Sequence, residues 1–192
     1  MPKFYGQSLK KDLFIGYLYV SSQSDKDIYT GAAMMTDLRG IPVEFKYVDP
    51  IRPSKLEKVL YGNALEAYLK EELILQNLIK SIEKKPEVLI CQDPSLIGPA
   101  RSLLKTYVIS IERYAGSPLE SRGAFERLPD GESLLLQAEE VGPPIRVHFG
   151  FSFQETEIEA VLHILEEAAC YMDLLEPFQR IIKALDVVIE ES

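Results

Sequence analysis

The feature of this sequence that most restricts its fold is a short, almost wholly apolar run, VLICQ, at residues 88–92. A strand that is apolar at successive positions has to be covered on both faces, which is typical of strands parallel to a neighbour. A parallel connection needs a crossover of a dozen or more residues, usually a helix. Residues 54–84 have the apolar spacing of a helix. The sequence therefore predicts a strand, a crossover helix and a parallel strand.

Three strands are predicted before this helix. Residues 13–20, 28–36 and 41–48 are rich in aromatic and β-branched side chains. The last of them alternates apolar and charged residues, as a strand with one wet face does. Ser54 and Glu57 have the spacing of a capping box, which starts the helix. The first half of the chain thus predicts an antiparallel three-stranded meander followed by the long crossover helix.

The second half predicts a further hairpin and two helices. Residues 123–128 and 133–138 flank a Pro-Asp-Gly turn, and residues 145–149 form one more strand. Two amphipathic helices follow and form a C-terminal helical hairpin. The predicted fold class is α+β, with mixed parallel and antiparallel pairing. We expect a sheet domain at 1–153 and an acidic helical hairpin at 154–192, packed on the same core as a single domain overall.

Charge is concentrated at the end of the chain. Of the formal net charge of -9, residues 154–192 carry -8, from ten acidic and two basic side chains. Neither half has the concentrated positive charge of a general nucleic-acid binder. No run approaches the roughly 18 apolar residues of a membrane span, and no apolar leader is evident at the start. We therefore expect a cytoplasmic protein without a membrane partner.

Cysteine and histidine usage excludes several classes of site. Two cysteines, Cys91 and Cys170, cannot form a disulfide framework or a four-ligand zinc site. The two histidines, His148 and His163, lack the neighbours of a metal-binding motif. We interpret both histidines as structural.

The leading functional hypothesis follows from the absence of catalytic motifs. No Walker loop, dinucleotide fingerprint or nucleophile elbow occurs in the sequence. The C-terminal helices have apolar faces that either the sheet or a partner has to cover. The sequence therefore favours a non-catalytic interaction or regulatory module without a cofactor. Its expected partner is a second copy or another protein, bound through these helices.

A second hypothesis comes from a resemblance. The order of three strands, a long helix and a parallel strand ending in an acid resembles the opening of ribonuclease H-like folds, endonuclease V in particular, over about the first 100 residues. The resemblance implies a divalent-metal-dependent nuclease with Mg²⁺ or Mn²⁺, held by Glu71 or Glu72 on the helix and by Asp93 after the strand. Gly16 and Tyr17 stand where it implies a first-strand carboxylate.

A third hypothesis is an anion or small-ligand site at the junction of the third strand and the helix. The segment from 40 to 73 resembles a segment of bacterial proteins of unknown function. This resemblance implies no activity. Arg52 could bind an anion through two hydrogen bonds, beside Tyr61 and Tyr68. Alternatively, Arg52 anchors the loop to Asp49, and the two tyrosines belong to the edge of the core.

Overall fold

A computed structural model describes residues 13–23, 27–150 and 153–192. Within these residues, eight strands form one sheet in the order β3-β2-β1-β4-β5-β8-β7-β6. The strands are β1 (Ile15–Gln23), β2 (Ile28–Thr36), β3 (Pro42–Ile51), β4 (Val88–Cys91), β5 (Tyr107–Arg113), β6 (Phe125–Arg127), β7 (Ser133–Leu136) and β8 (Ile145–His148).

The pairing confirms the predicted fold class. Strands β1, β2 and β3 form the antiparallel meander. Strand β4 is parallel to β1, with Ile15 opposite Val88, and β5 is parallel to β4. Strand β8 then pairs antiparallel with β5 and carries the second hairpin, so that both halves of the chain share one mixed sheet.

The crossover between β3 and β4 is irregular. It comprises α1 (Lys55–Tyr61), a 3₁₀ turn (Gly62–Ala64), α2 (Leu65–Ala67), a π-helix (Tyr68–Leu75) and α3 (Gln76–Ser81). The predicted capping box is present, because Ser54 Oγ accepts from the amide of Glu57 and the Glu57 carboxylate accepts from the amide of Ser54. The break follows Gly62, whose φ of +51° suits a residue without a side chain.

Helices cover both faces of the sheet. The π-helix and α3 pack with Leu18 of β1 and Leu89 of β4 on one face. The C-terminal helices α5 (Glu155–Ala169) and α6 (Glu176–Glu191) pack on the other face, against Tyr17 and Ile90. The apolar faces of the C-terminal helices are thus covered by the sheet. The division at residue 153 and the oligomeric state stay predictions.

One edge of the sheet gathers the carboxyl ends of its parallel strands. After β4 the chain forms a 3₁₀ turn (Pro94–Leu96) and α4 (Ile97–Leu103), which returns the chain to β5. The carboxyl ends of β1, β4 and β5 therefore lie at the same edge. In the described part of the chain, every helix is too short or too polar to cross a membrane.

Candidate functional site

A cavity of about 760 Å³ lies at the carboxyl ends of β4 and β5 and is bounded by α6. Ligands of open sheets with parallel strands commonly bind at this edge, and the volume suits a nucleotide-sized group. The cavity is lined by polar side chains and a few apolar ones. Its lining includes Gln92, Ser110, Glu112, Arg113, Asp173, Glu176, Phe178, Gln179 and Lys183.

Each carboxylate of the cavity lining forms an ion pair with an arginine. Glu112 pairs with Arg146 at 3.3 Å. Asp173 pairs with Arg113 at 2.5 Å, and Glu176 pairs with Arg180 at 2.9 Å. The cavity is therefore not a concentrated negative site, despite its three acidic side chains.

Two positively charged side chains line the cavity. Arg113 is two-thirds exposed and forms an ion pair with Asp173. Lys183 is exposed and has no ion-pair partner among the residues that the structure describes. A flexible ammonium group and a partly satisfied guanidinium are groups that contact phosphate oxygens.

Tyr17 occupies the first-strand position at which the resemblance implies a carboxylate. Its side chain is fully buried, and its ring meets Phe178 edge to face at 5.3 Å. Burial raises the pKa of the Tyr17 hydroxyl, with smaller effects from Arg180, Asp173 and Glu176. That hydroxyl has no hydrogen-bond partner within the described residues. Tyr17 thus forms core behind the cavity rather than a metal ligand.

The three predicted acids do not meet in one site. Glu71 and Glu72 lie on the exposed side of the π-helix, and the Glu72 carboxylate accepts from Gln76 at 3.1 Å. That helix covers the face of the sheet opposite to Tyr17. Asp93 does lie beside the cavity, after Gln92, but its Oδ1 accepts from the amide and the hydroxyl of Ser95 and starts the following turn.

The donor set therefore does not fit a preassembled two-metal centre at the implied position. Within residues 13–23, 27–150 and 153–192, no three His, Cys, Asp or Glu side chains are grouped so that they could hold a metal ion. Bridging carboxylates are what bring two cations close together. The roles of Glu71, Glu72 and Asp93 as catalytic or metal-binding residues stay predictions.

The structure brings together two of the three predicted ligand-binding residues. The rings of Tyr61 and Tyr68 stack, with centroids 4.6 Å apart and planes 21° apart. A hydrogen bond with Tyr61 raises the pKa of Tyr68. Arg52 is exposed and forms no ion pair with Asp49 in the described structure. This pair of rings lies on the crossover, away from the residues that line the cavity.

Sequence reasoning missed a polar cluster on β7, β8 and the turn before β7. Ser133 Oγ lies 2.7 Å from Asp130 Oδ2 and 3.0 Å from His148 Nδ1, and Arg146 donates to Asp130 at 2.7 Å. Asp130 and His148 are 18 positions apart in the chain, and the cluster forms because β7 pairs with β8. No fixed spacing in the sequence marks such a cluster, so the interpretation of His148 as an isolated residue missed it.

Three solved structures similar to this one are endonuclease V enzymes. Endonuclease V from Streptomyces avermitilis matches with a TM-score of 0.63 and 16% identity, covering 93% of this chain and 82% of that one. The Bacillus subtilis endonuclease V matches with a TM-score of 0.55 and 16% identity, over 80% of this chain and 70% of that one.

A third similar structure contains nucleic acid. Ciona intestinalis endonuclease V, bound to a 23mer DNA with an inosine followed by a ribo-adenosine, matches with a TM-score of 0.58 and 13% identity. The alignment covers 96% of this chain and 88% of that one. No model of a protein family matches the sequence, and no curated protein sequence matches it either.

These similarities confirm the ribonuclease H-like fold implied by the resemblance to endonuclease V. They also correct the leading functional hypothesis. The prediction of a non-catalytic interaction module is wrong, because the chain has the fold of nucleases, and the nuclease hypothesis fits these findings better. The error arose because the absence of a sequence motif was taken as evidence against catalysis, whereas function depends on the site that the folded chain builds.

Proposed function

We propose that this chain is a nuclease that binds a nucleic-acid strand at the cavity and hydrolyses a phosphodiester bond there. The observation that carries the proposal is the position of the cavity, at the carboxyl ends of β4 and β5 in an endonuclease V-like fold. Function on a fold depends on its site, and this site is both open and polar. The lining supplies groups of the kind that contact phosphates and bases.

The side chains at the cavity have complementary roles in this proposal. Arg113 and Lys183 contact phosphate oxygens, which positions the strand without reading its sequence. The Gln92 side chain, at the end of β4, offers an amide that can both donate to and accept from a base or sugar. The acidic C-terminal helices then limit binding to this local site, because they repel the rest of the phosphate backbone.

The similar structures guide the choice of substrates for a cleavage assay that identifies the class of nucleic acid. The Ciona enzyme is bound to DNA that carries inosine and a ribonucleotide. A suitable panel therefore has single-stranded and duplex DNA, RNA, and the same sequences with one inosine. Each substrate is tested with Mg²⁺, with Mn²⁺ and with a chelator, since the described carboxylates are not grouped as metal ligands.

A variant that fills the cavity tests the proposal. Gln179 lines the cavity from α6 and is exposed, so Gln179→Trp places a large ring in the binding space. Val187→Trp is the matched control, because Val187 is 51% exposed on the same helix and lies outside the lining. We expect wild type and Val187→Trp to cleave at least one substrate of the panel, and Gln179→Trp to lose most of that activity.

Two results would contradict the proposal. One is the absence of cleavage of every substrate under all three metal conditions. The other is equal cleavage by wild type and Gln179→Trp after identical purification, which would assign the activity to another surface or to a contaminating nuclease.

A further inference from the structure

A second cavity lies at the opposite edge of the sheet, at the amino ends of β4 and β5. Its volume is about 470 Å³, which is within the range of small-ligand sites. Its lining comes from the segments before β4 and β5, from the end of α4 and from the first turn of α5. This amino-edge cavity shares no lining residue with the cavity at the carboxyl ends of the strands.

The amino-edge cavity has an excess of positive charge, although the chain as a whole is acidic. Its positive side chains are Lys85, Arg101 and Lys105, and its negative side chains are Glu87 and Glu157. Glu157 lies 3.8 Å from Arg101, and its carboxylate accepts from the amide of Gln154 at 2.9 Å. The charge of Glu157 is therefore already balanced within the protein.

The two lysines are the positive groups that a ligand can use. Both are exposed, and neither forms an ion pair within residues 13–23, 27–150 and 153–192. Glu87 offsets only one of their two charges. Lysine ammonium groups bind phosphate as compact positive charges. The amino-edge cavity can therefore take an anion on Lys85 and Lys105 without breaking an internal ion pair.

A hydrogen bond holds together the two segments that carry these lysines. Thr106 Oγ1 lies 2.6 Å from the carbonyl oxygen of Pro86 and 2.7 Å from that of Glu87, and its hydrogen can be donated to either. Lys85 directly precedes Pro86, and Lys105 directly precedes Thr106. The backbones of both lysines are thus fixed before a ligand arrives, which reduces the entropy cost of binding.

The wall of the amino-edge cavity also offers a surface to a planar ring. Tyr107 and Leu104 line the cavity and are half-buried. Aromatic side chains stack with nucleobases of any sequence. A ligand that carries both a phosphate and a base would use the lysines and this wall together, whereas a simple inorganic anion would use the lysines alone.

We propose that the amino-edge cavity binds a nucleoside monophosphate, either free or at the end of a nucleic-acid strand. Lys85 and Lys105 contact its terminal phosphate, and its base lies against Tyr107. This binding site is separate from the proposed nuclease site, because the two cavities share no residue. Failure of one proposal therefore leaves the other standing.

The first test locates the ligand on the chain. Amide NMR spectra of the ¹⁵N-labelled protein are recorded during titration with adenosine monophosphate and, separately, with adenosine. We expect saturable shifts at the amides of residues 85, 87 and 104–107 with the monophosphate, and much weaker binding of adenosine, because only the monophosphate carries the charge that the lysines bind. No saturable shift at these amides, or equal affinity for adenosine, would overturn the inference.

The second test assigns the phosphate to the lysines. Both are exposed, so the double variant Lys85→Gln, Lys105→Gln should fold normally. We expect its dissociation constant for adenosine monophosphate to rise about tenfold or more. Lys84→Gln is the matched control, because Lys84 is also exposed and does not line the cavity. It should bind as wild type does, and an unchanged affinity in the double variant would contradict the proposal.

A third titration distinguishes a free nucleotide from a strand end. If a short oligonucleotide with a terminal phosphate shifts the same amides and its terminal hydroxyl form does not, the site accepts strand ends. Shifts with adenosine monophosphate alone would assign the site to a free nucleotide, and equal shifts with both oligonucleotides would overturn the role of the terminal phosphate. Gln179→Trp should bind adenosine monophosphate as wild type does, because Gln179 lines the other cavity. Loss of binding in Gln179→Trp would place the ligand in that other cavity and overturn the inference.

Discussion

Two glycines differ in what an added methyl group would meet. In β2, a Cβ on Gly31 would lie 2.6 Å from a side-chain carbon of Ile74 and 2.8 Å from the backbone oxygen of Tyr19. The backbone contact cannot move aside cheaply, so we expect Gly31→Ala to lower the free energy of unfolding by about 1–3 kcal/mol.

Gly98, in α4, has nothing within 4 Å of its added Cβ. Gly98→Ala should raise the free energy of unfolding by up to about 1 kcal/mol.

Urea unfolding followed by circular dichroism measures both changes. Equal effects of the two substitutions would contradict the close approach of Gly31 to the Tyr19 backbone and to Ile74.

Asp130 makes stability depend on pH in a defined direction. The hydroxyl of Ser133, and then the amides of Glu132 and Ser133 and the side chain of Arg146, hold the pKa of Asp130 well below its usual range. A lowered pKa in the folded state adds stability above the unfolded value, near 4, and that stability is lost as pH falls toward the folded value.

We therefore expect Asp130→Asn to lower Tm at pH 7, and the difference from wild type to shrink steadily below about pH 4. Thermal unfolding of both proteins between pH 2 and pH 7 measures this. A Tm difference that stays constant across the range would show that the Asp130 charge contributes nothing to folding.

At the scale of elements, most strands and helices follow from local pattern. The alternation in β3 and the apolar spacing of α5 and α6 predict these elements within a few residues of their bounds. The apolar run of β4 predicts that it is parallel to a neighbouring strand, and the structure shows that β1 is one such neighbour. The joining of β8 to β5 was not predictable, because antiparallel pairing between distant segments depends on which edge of the sheet is open. The π-helix also escaped prediction, since its apolar spacing differs little from that of an α-helix.

Glu44 links the third strand to the end of the crossover. Its carboxylate accepts from the amide of Glu83 at 2.9 Å and from that of Lys84 at 2.7 Å. Although burial by itself raises the pKa of Glu44, these amides and Lys46 lower it below its usual range. We expect Glu44→Ala to lower the free energy of unfolding by about 1–3 kcal/mol, because it removes two hydrogen bonds from backbone amides to a charged acceptor.

The Glu83 side chain provides the control for this prediction. It is 80% exposed and only pairs with Lys46, so Glu83→Ala should change the free energy of unfolding by less than about 1 kcal/mol. Hydrogen exchange should accelerate at the amides of residues 83 and 84 in Glu44→Ala alone. Faster exchange in both variants would show that the ion pair, rather than the backbone contact, holds the end of α3.

At the scale of the whole molecule, a net charge of -9 makes binding to nucleic acid dependent on a few local cations. We expect Lys183→Ala to weaken oligonucleotide binding and to reduce by about one the slope of log affinity against log salt, because one phosphate contact is lost. Lys80→Ala removes the same charge from α3, where Lys80 donates to Gln76 outside the cavity. It should leave the slope unchanged. Equal slopes for wild type and both variants would remove Lys183 from the interface.

The candidate site shows where sequence reasoning reaches its limit. The position of Asp93 after β4 follows from the end of an apolar run, because strand ends are readable in a sequence. The environment of Tyr17 and the meeting of Asp130, Ser133 and His148 depend on pairing across the sheet, which one sequence does not specify.

The proposed function requires nucleic acid to bind at the carboxyl ends of β4 and β5. Photo-crosslinking of the chain to an oligonucleotide with a reactive base, followed by mass spectrometry, tests it directly. We expect crosslinks to the cavity lining, on β5 and the first half of α6, and we expect Gln179→Trp to abolish them. Crosslinks confined to the stacked pair Tyr61 and Tyr68, or spread without preference over the surface, would contradict it.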